Sequence, residues 1–371
     1  MSAPVPIAWV SCVGEKGGAE TLMIECLRRL DRGRFSPHVI QLRPGPLQGL
    51  LEEIGVEVHV LPEHRMREIH RVAAAIEGIR GVVRKRGLRL LHSNGFRAHV
   101  YGGLAAAISG VAEVWTTHTV EQSGLSTSAI LAIPTDAVLA NCPRTEEYFR
   151  RRCDAPVEMI WPGVDPNLSD RATGREKLAE TYGLPVFGRW VSIGGRLQRY
   201  KGQIEFLRAM ASVAAPDVHG IVIGGSLFGQ ETEYQRELRE TASSLGVSRR
   251  VTFTGFVPDR DLAGLLRESY VTLHPAHDED FGLAVAEAQV MGVPCIAYAA
   301  VGPSAIIIEG KTGWLAPIGD QEGLNRHLEH ALSHPDETLR RGRNARLSCI
   351  ARFGVEEHVS KTMEVYRRVL T

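Results

Sequence analysis

The stretch DEDFGLAVAEAQVMGVPCIAY, residues 278–298, holds two carboxylates, Glu279 and Glu287, with seven residues between them. Acidic residues so spaced are usually a surface pair on one helix. Here Phe281 and Gly282 interrupt the stretch and helical rhythm runs over 284–291, which puts Glu279 in a loop and Glu287 on the helix beyond it. From those places both can reach one bound ligand. A second stretch, GGRLQRYKG at 194–202, sets Arg196 and Lys201 five apart between a strand and a helix. A planar guanidinium fork and a point-charge ammonium at the head of a helix can stabilise the charge that grows on a diphosphate as its bond to a sugar breaks. A solvated basic loop would have the same spacing.

A third stretch, GEKGGAET at 14–21, follows a strand and opens a helix. Its glycines let backbone N–H groups approach an anion, although a tight turn without a ligand would read alike. The spacing is not the dinucleotide fingerprint, and the second strand ends in Ile40-Gln41-Leu42-Arg43 with no acidic residue for a ribose, so nicotinamide cofactors are set aside. Two Asp-x-Asp triplets, 259–261 and 278–280, spell a metal-binding pattern, but each lies inside a segment the strand and helix pattern already explains. Arg196 and Lys201 supply the positive charge a metal would, so no catalytic metal and no cofactor are expected.

The elements that must position these residues are legible as short β-branched runs alternating with longer helical stretches, the pattern of parallel sheets covered by helices. Strands are expected at Ile7 to Val13, His38 to Leu42, Val56 to Leu61, Leu88 to His92, Val114 to Thr117 and Ala137 to Ala140, with helices over 19–30 and 66–86. The pattern restarts at WVSIGG (190–195) and continues through HGIVIGG, RVTFTG, YVTLHP and VPCIAY. A chain of 371 residues, 44% of them apolar, has material for two cores, one per half. The Pro-, Gly- and charge-rich stretch 161–188 reads as the hinge, and Val359, Met363, Tyr366 and Leu370 mark a packing helix at the C-terminus.

Composition excludes several classes of function. The 43 Lys and Arg balance 43 Asp and Glu, so no overall field gathers a polyanion and nucleic acid is not an expected partner. Six cysteines without a close pair argue against a zinc ribbon or a dithiol redox site and read as reduced packing residues. The start MSAPVPIAWV has no basic leader and no apolar run is long enough to span a bilayer, so a cytoplasmic protein is expected. The segment His64 to Leu90 carries eight Lys and Arg against two Glu, net +6. Such a run is commonly a solvated helix face, and it leaves peripheral membrane contact open.

Taken in chain order, the motifs GGAE (17–20), the strand-end TTH with His118, PGVD (162–165), GGRLQRYKG, IGGS (223–226), VTFTGFV (251–257), the paired glutamates and GKTGWL (310–315) resemble the retaining GT-B glycosyltransferases of the family 4 type over nearly the full length. The resemblance implies an α/β fold of GT-B architecture, two Rossmann-like doubly wound domains facing each other across a cleft. The expected divisions are 1–165 for an acceptor domain, 166–354 for a nucleotide-sugar donor domain, and 355–371 for a helix able to pack back on the first. It implies a nucleoside-diphosphate-sugar donor and transfer, without metal and with retention, to an acceptor glycan, glycolipid or small-molecule glycoside.

Residue by residue, the resemblance implies that Arg196 and Lys201 hold the diphosphate, Glu287 the ribose, and Glu279 the donor sugar. Phe256 and Val257 would frame the base. Gly17 and Gly18 would lie near the phosphates, Gly195, Phe281, Gly282 and Leu283 would contact the donor, and His118 would lie near the reaction centre. Asn94, Arg97 and Glu121 are candidate acceptor contacts. The sequence departs from the family where Ser304-Ala305 replaces a Pro-Glu pair, where Pro162 replaces an Asn, and in the longer loop SLFGQETEY. A nucleotide-sugar epimerase of the same architecture and a non-catalytic sugar-nucleotide-binding protein are the alternatives.

Overall fold

The computed structural model describes residues 3–62, 69–120, 125–225 and 233–371. It divides into two compact units, 1–163 with 355–371, and 164–354. The first unit runs β1 (Val5–Ser11), α1 (Gly18–Arg29), β2 (Phe35–Gln41), α2 (Leu47–Glu53), β3 (Glu57–Val60), α3 (Ile69–Arg86), β4 (Leu90–Asn94), α4 (Phe96–Ser109), β5 (Ala112–Thr117), α5 (Leu125–Leu131), β6 (Ala137–Ala140), α6 (Pro143–Arg150) and β7 (Val157–Met159). Its seven parallel strands lie in the order β3-β2-β1-β4-β5-β6-β7.

The second unit runs α7 (Arg175–Tyr182), β8 (Arg189–Gly194), α8 (Gln203–Ser212), β9 (Val218–Ile223), α9 (Glu233–Ser244), β10 (Val251–Gly255), α10 (Asp259–Arg267), β11 (Ser269–His274), α11 (Leu283–Val290), β12 (Cys295–Tyr298), α12 (Val301–Ile306), β13 (Gly313–Ala316), α13 (Gln321–Ser333) and α14 (Pro335–Phe353). Its six strands take the order β10-β9-β8-β11-β12-β13, and α15 (Val355–Val369) returns the chain to the first unit.

Both sheets are built from apolar runs because helices cover both faces of each. In β1, Ile7 to Val10 are all buried, and in β8 Trp190, Val191 and Ile193 are. Val355 and Val359 of α15 join the cluster of Trp9, Met23, Leu27 and Val39, and the Tyr366 hydroxyl hydrogen-bonds with Nδ1 of His92 at 2.5 Å. None of the six cysteines is in a disulfide.

The structure differs from the sequence reading in two respects. β7 and β13, of three and four residues, are not among the expected strands. The stretch read as a hinge holds α7, which buries only Leu178 and Ala179 and so leaves little apolar periodicity. Arg175 at its start lies over the Trp190 ring at 3.9 Å, and the amide of Thr173 just before it bonds Arg260 O, so the stretch from Val164 on is part of the second unit, and the division between the units falls at its beginning, after Gly163. In the basic segment, Glu77 takes ion pairs from Arg80 and Arg84, while Arg65 and Arg67 lie outside the described residues. No helix among the described residues is long and apolar enough to cross a membrane.

Candidate active site

In each unit the strand order reverses its direction of growth once, between β1 and β4 and between β8 and β11. Loops leaving the carboxyl ends of strands on either side of such a point diverge and open a crevice, where doubly wound sheets hold their ligands. In the second unit those loops are 195–202 after β8 and 275–282 after β11, which carry Arg196, Lys201 and Glu279.

The two loops are locked together by backbone. His277 N bonds Tyr200 O at 2.8 Å. Gly202 sits at φ 79°, and a Cβ there would stand 2.1 Å from Pro275 O, so only glycine allows this approach. On its far side the second loop is held by Gly302 N, which bonds Glu279 O at 2.9 Å.

The result is a triad. Lys201 Nζ donates to Glu279 Oε2 at 2.5 Å, and His274 Nε2 lies 3.1 Å from the same oxygen. Oε1 of Glu279 has no partner among the described residues, so it remains an acceptor for a ligand hydroxyl. Burial favours the neutral carboxyl, but the hydrogen bond and charge of His274, with the charge and hydrogen bond of Lys201, outweigh it and hold Glu279 at about 2. Arg196 is exposed, and its guanidinium has no ion-pair partner among the described residues. Of the two cations expected on a diphosphate, one is therefore uncommitted and the other already faces a carboxylate.

Around this triad the remaining expected residues take distinct places. Gly195 N bonds Ile223 O and Gly224 N bonds Gly255 O, which brings the ends of β8, β9 and β10 side by side. The Phe256 ring is 55% exposed and lies over Gly225, with Val257 half-buried beside it. Gly282 caps α11, whose first two N–H groups, those of Leu283 and Ala284, precede the first intrahelical bonds, from Val285 N and Ala286 N to Gly282 O, and carry the positive end of the helix dipole. Glu287 is half-buried one turn further along. Phe281 points the other way, into the core against Phe353 at 5.6 Å, so only its backbone faces the loop. Asp261 of one Asp-x-Asp triplet accepts from Thr173 Oγ1 and Tyr182 OH, and Asp280 of the other is buried.

In the first unit the switch point gathers a second polar chain. Gly17 caps α1, ahead of Gly18, and its N–H donates to Glu20 Oε2 at 3.1 Å. Asn94, at the end of β4, donates through Nδ2 to Glu20 Oε1 at 3.4 Å and accepts through Oδ1 from His118 Nε2 at 2.8 Å. Asn141 Nδ2 donates to the His118 carbonyl at 2.8 Å. Burial, with the nearby His358, pushes the His118 imidazole down to about 4, so at neutral pH it is uncharged and its Nδ1 carries a lone pair. Asn94, expected among acceptor contacts, thus orients His118. Arg97 is exposed in the first turn of α4, and Glu121 lies outside the described residues.

Sequence reasoning missed His274, Asn141 and His358. The first carried a signal, since it ends a strand beside the switch point as His118 ends one. His358 lies on a helix 240 residues from His118, and nothing local announces the approach.

Two family models match consecutive parts of the chain, Glycosyltransferase Family 4 over 16–168 and Glycosyl transferases group 1 over 182–348. The chain belongs to the group 1 glycosyltransferases. The D-inositol 3-phosphate glycosyltransferase of Corynebacterium urealyticum is 26% identical over 395 aligned positions, covering 96% of this chain and 92% of that protein. The enzyme of the same name from Xylanimonas cellulosilytica is 27% identical, covering 95% and 92%. Among solved structures, Anabaena Alr3699/HepE in complex with UDP and glucose is similar at TM-score 0.85 and 24% identity, over 98% of this chain and all of that one. That likeness establishes the GT-B fold of this glycosyltransferase. These relatives lend no support to the epimerase alternative.

Proposed function

We propose that this glycosyltransferase moves a sugar from a nucleoside diphosphate to an acceptor hydroxyl with retention at the anomeric carbon and without a divalent metal. The observation that carries the reading is the placement, at one switch point, of an uncommitted Arg196, of Lys201, and of a Glu279 held ionised with one oxygen open. Arg196, Lys201 and the start of α11 meet the negative charge that grows on the departing diphosphate. The anionic Glu279 aligns the donor sugar through Oε1 and favours the positive charge developing at its ring. No side chain is assigned as a covalent nucleophile: the acceptor attacks from the face the diphosphate leaves, and catalysis comes from orientation and charge stabilisation. The nucleotide-sugar is a co-substrate, and no further cofactor is needed.

The names of the inositol 3-phosphate glycosyltransferases and the UDP complexes of HepE direct the choice of substrates. A phosphorylated polyol suits the exposed Arg97 as acceptor, and a uridine nucleotide is the first donor to try. The test incubates the purified chain, in EDTA, with UDP-, GDP-, ADP- and TDP-sugars and inositol phosphates, and reads the product anomer by NMR. Retained configuration in chelator is expected. An inverted product would overturn the mechanism, activity restored only by Mg²⁺ or Mn²⁺ would overturn metal independence, and binding of every donor without transfer would favour the non-catalytic alternative.

A further inference from the structure

Away from the switch points, the outer edge of the first sheet carries a cluster the transfer reaction does not use. Among the described residues β3 pairs only with β2, in parallel register that sets Glu57 against His38 and His59 against Ile40. Side chains alternate along a strand, so Glu57 and His59 share a face, and His38 stands on that face from the neighbouring strand. Ile40 on this face belongs to the core cluster formed with Ile79 and Val83, which identifies it as the side covered by α3.

The ligand-capable atoms converge. His38 Nδ1 and His59 Nε2 lie 3.4 Å apart, Glu57 Oε2 is 3.4 Å from the first, and Glu57 Oε1 is 3.8 Å from the second. Among the described residues this is the one group of three His, Cys or acidic side chains whose donor atoms lie within 4.8 Å of one another. A tetrahedral Zn²⁺ with bonds of about 2.0–2.1 Å to imidazole nitrogens holds its ligand atoms roughly 3.3–3.4 Å apart. The two imidazoles therefore already have the separation of one edge of that tetrahedron, and the carboxylate, which meets each of them through a different oxygen within a cluster 4.8 Å across, has to turn so that one oxygen serves both.

We propose that His38, Glu57 and His59 form a site for a borderline divalent cation, Zn²⁺ in preference to Mg²⁺ or Ca²⁺, with the fourth position open to water. Two nitrogen ligands select against the hard cations, which take oxygen donors. The ion would staple a four-residue edge strand, whose outward N–H and C=O groups meet no further strand among the described residues, to the body of the sheet. Arg86, at the end of α3, is the built-in competitor, because it forms an ion pair with Glu57 that cation binding must loosen.

The experiment strips the full chain of metal with EDTA, removes the chelator, and titrates Co²⁺ and then Zn²⁺. Calorimetry reads affinity and stoichiometry, and the visible d–d bands of Co²⁺ read coordination. One ion per chain is expected, with imidazole-ligated, low-coordinate Co²⁺ bands. His59→Asn should weaken binding on the order of 100-fold or abolish it. Arg86→Gln should tighten it, a change no purely structural role of these residues would produce. No Zn²⁺ bound at micromolar concentration, or equal affinity in the wild type and His59→Asn, would overturn the proposal. If His59→Asn does not fold, Arg86→Gln decides, and unchanged or weaker binding there counts against the site.

Discussion

The Lys201–Glu279 pair gives a quantitative test of how the second unit holds its charges. Moving a carboxyl from its ordinary 4.5 to about 2 corresponds to about 3 kcal/mol of preference for the ionised form in the folded state. His274 and Lys201 share that preference, so replacing Lys201 by Met should cost about 1–2 kcal/mol at pH 7. The folded carboxyl is depressed, so its contribution is fully present above pH 4.5 and is lost as pH falls toward 2. The penalty of Lys201→Met should therefore be largest at neutral pH and shrink on acidification. Glu279→Gln removes the same interaction from the other side, and the double variant should lose less than the two singles together, by a coupling of about 1–2 kcal/mol. Because the chain has two units, the assay is native-state hydrogen exchange read on peptides spanning 269–290, which reports opening of β11 and α11 rather than of the whole molecule. Additivity of the two substitutions within about 0.5 kcal/mol, or a pH-independent Lys201→Met penalty, would refute the reasoning.

Two further outcomes follow from the same geometry. His358 is buried, donates through Nδ1 to Trp161 O at 2.8 Å, and is pushed down by burial to about 4; the unfolded chain takes up this proton near pH 6.5, so stability is present above that pH and falls by up to about 3 kcal/mol as pH drops to 4. His358→Gln should flatten this part of the dependence of the urea midpoint between pH 7.5 and 5, and unchanged slopes would exclude the assignment. Gly302→Ala places a Cβ 2.0 Å from Phe281 O, a backbone atom that can yield only by shifting the 279–282 loop. It should lower stability by about 1–3 kcal/mol and raise the donor KM, read by thermal unfolding and steady-state kinetics, and a variant with wild-type values in both would show that the loop is not held from this side.

The local sequence determined the elements and the cast of residues. Short runs dominated by apolar residues, such as Ile7 to Val10 and Trp190, Val191 and Ile193 in β8, read as strands covered on both faces, and the alternation with helices points to parallel sheets, because the pattern is a local property of the chain. Gly-rich strand ends and the motif order were equally readable, and with them Arg196, Lys201, Glu279 and Glu287. What the sequence could not reveal is which of these groups meet. Lys201 and Glu279 are 78 residues apart, and their contact depends on β8 and β11 being neighbours and on Gly202 lying against Pro275. His274 becomes part of that cluster, Asn94 turns toward His118, and His358 arrives from the last helix, all through long-range packing. Even α7, with two buried residues, exists because the second unit supplies the surface that covers it. Propensity and spacing act over a few residues, whereas ion pairs, desolvation and the protonation of His118 and Glu279 depend on atoms brought within a few ångströms by the tertiary fold.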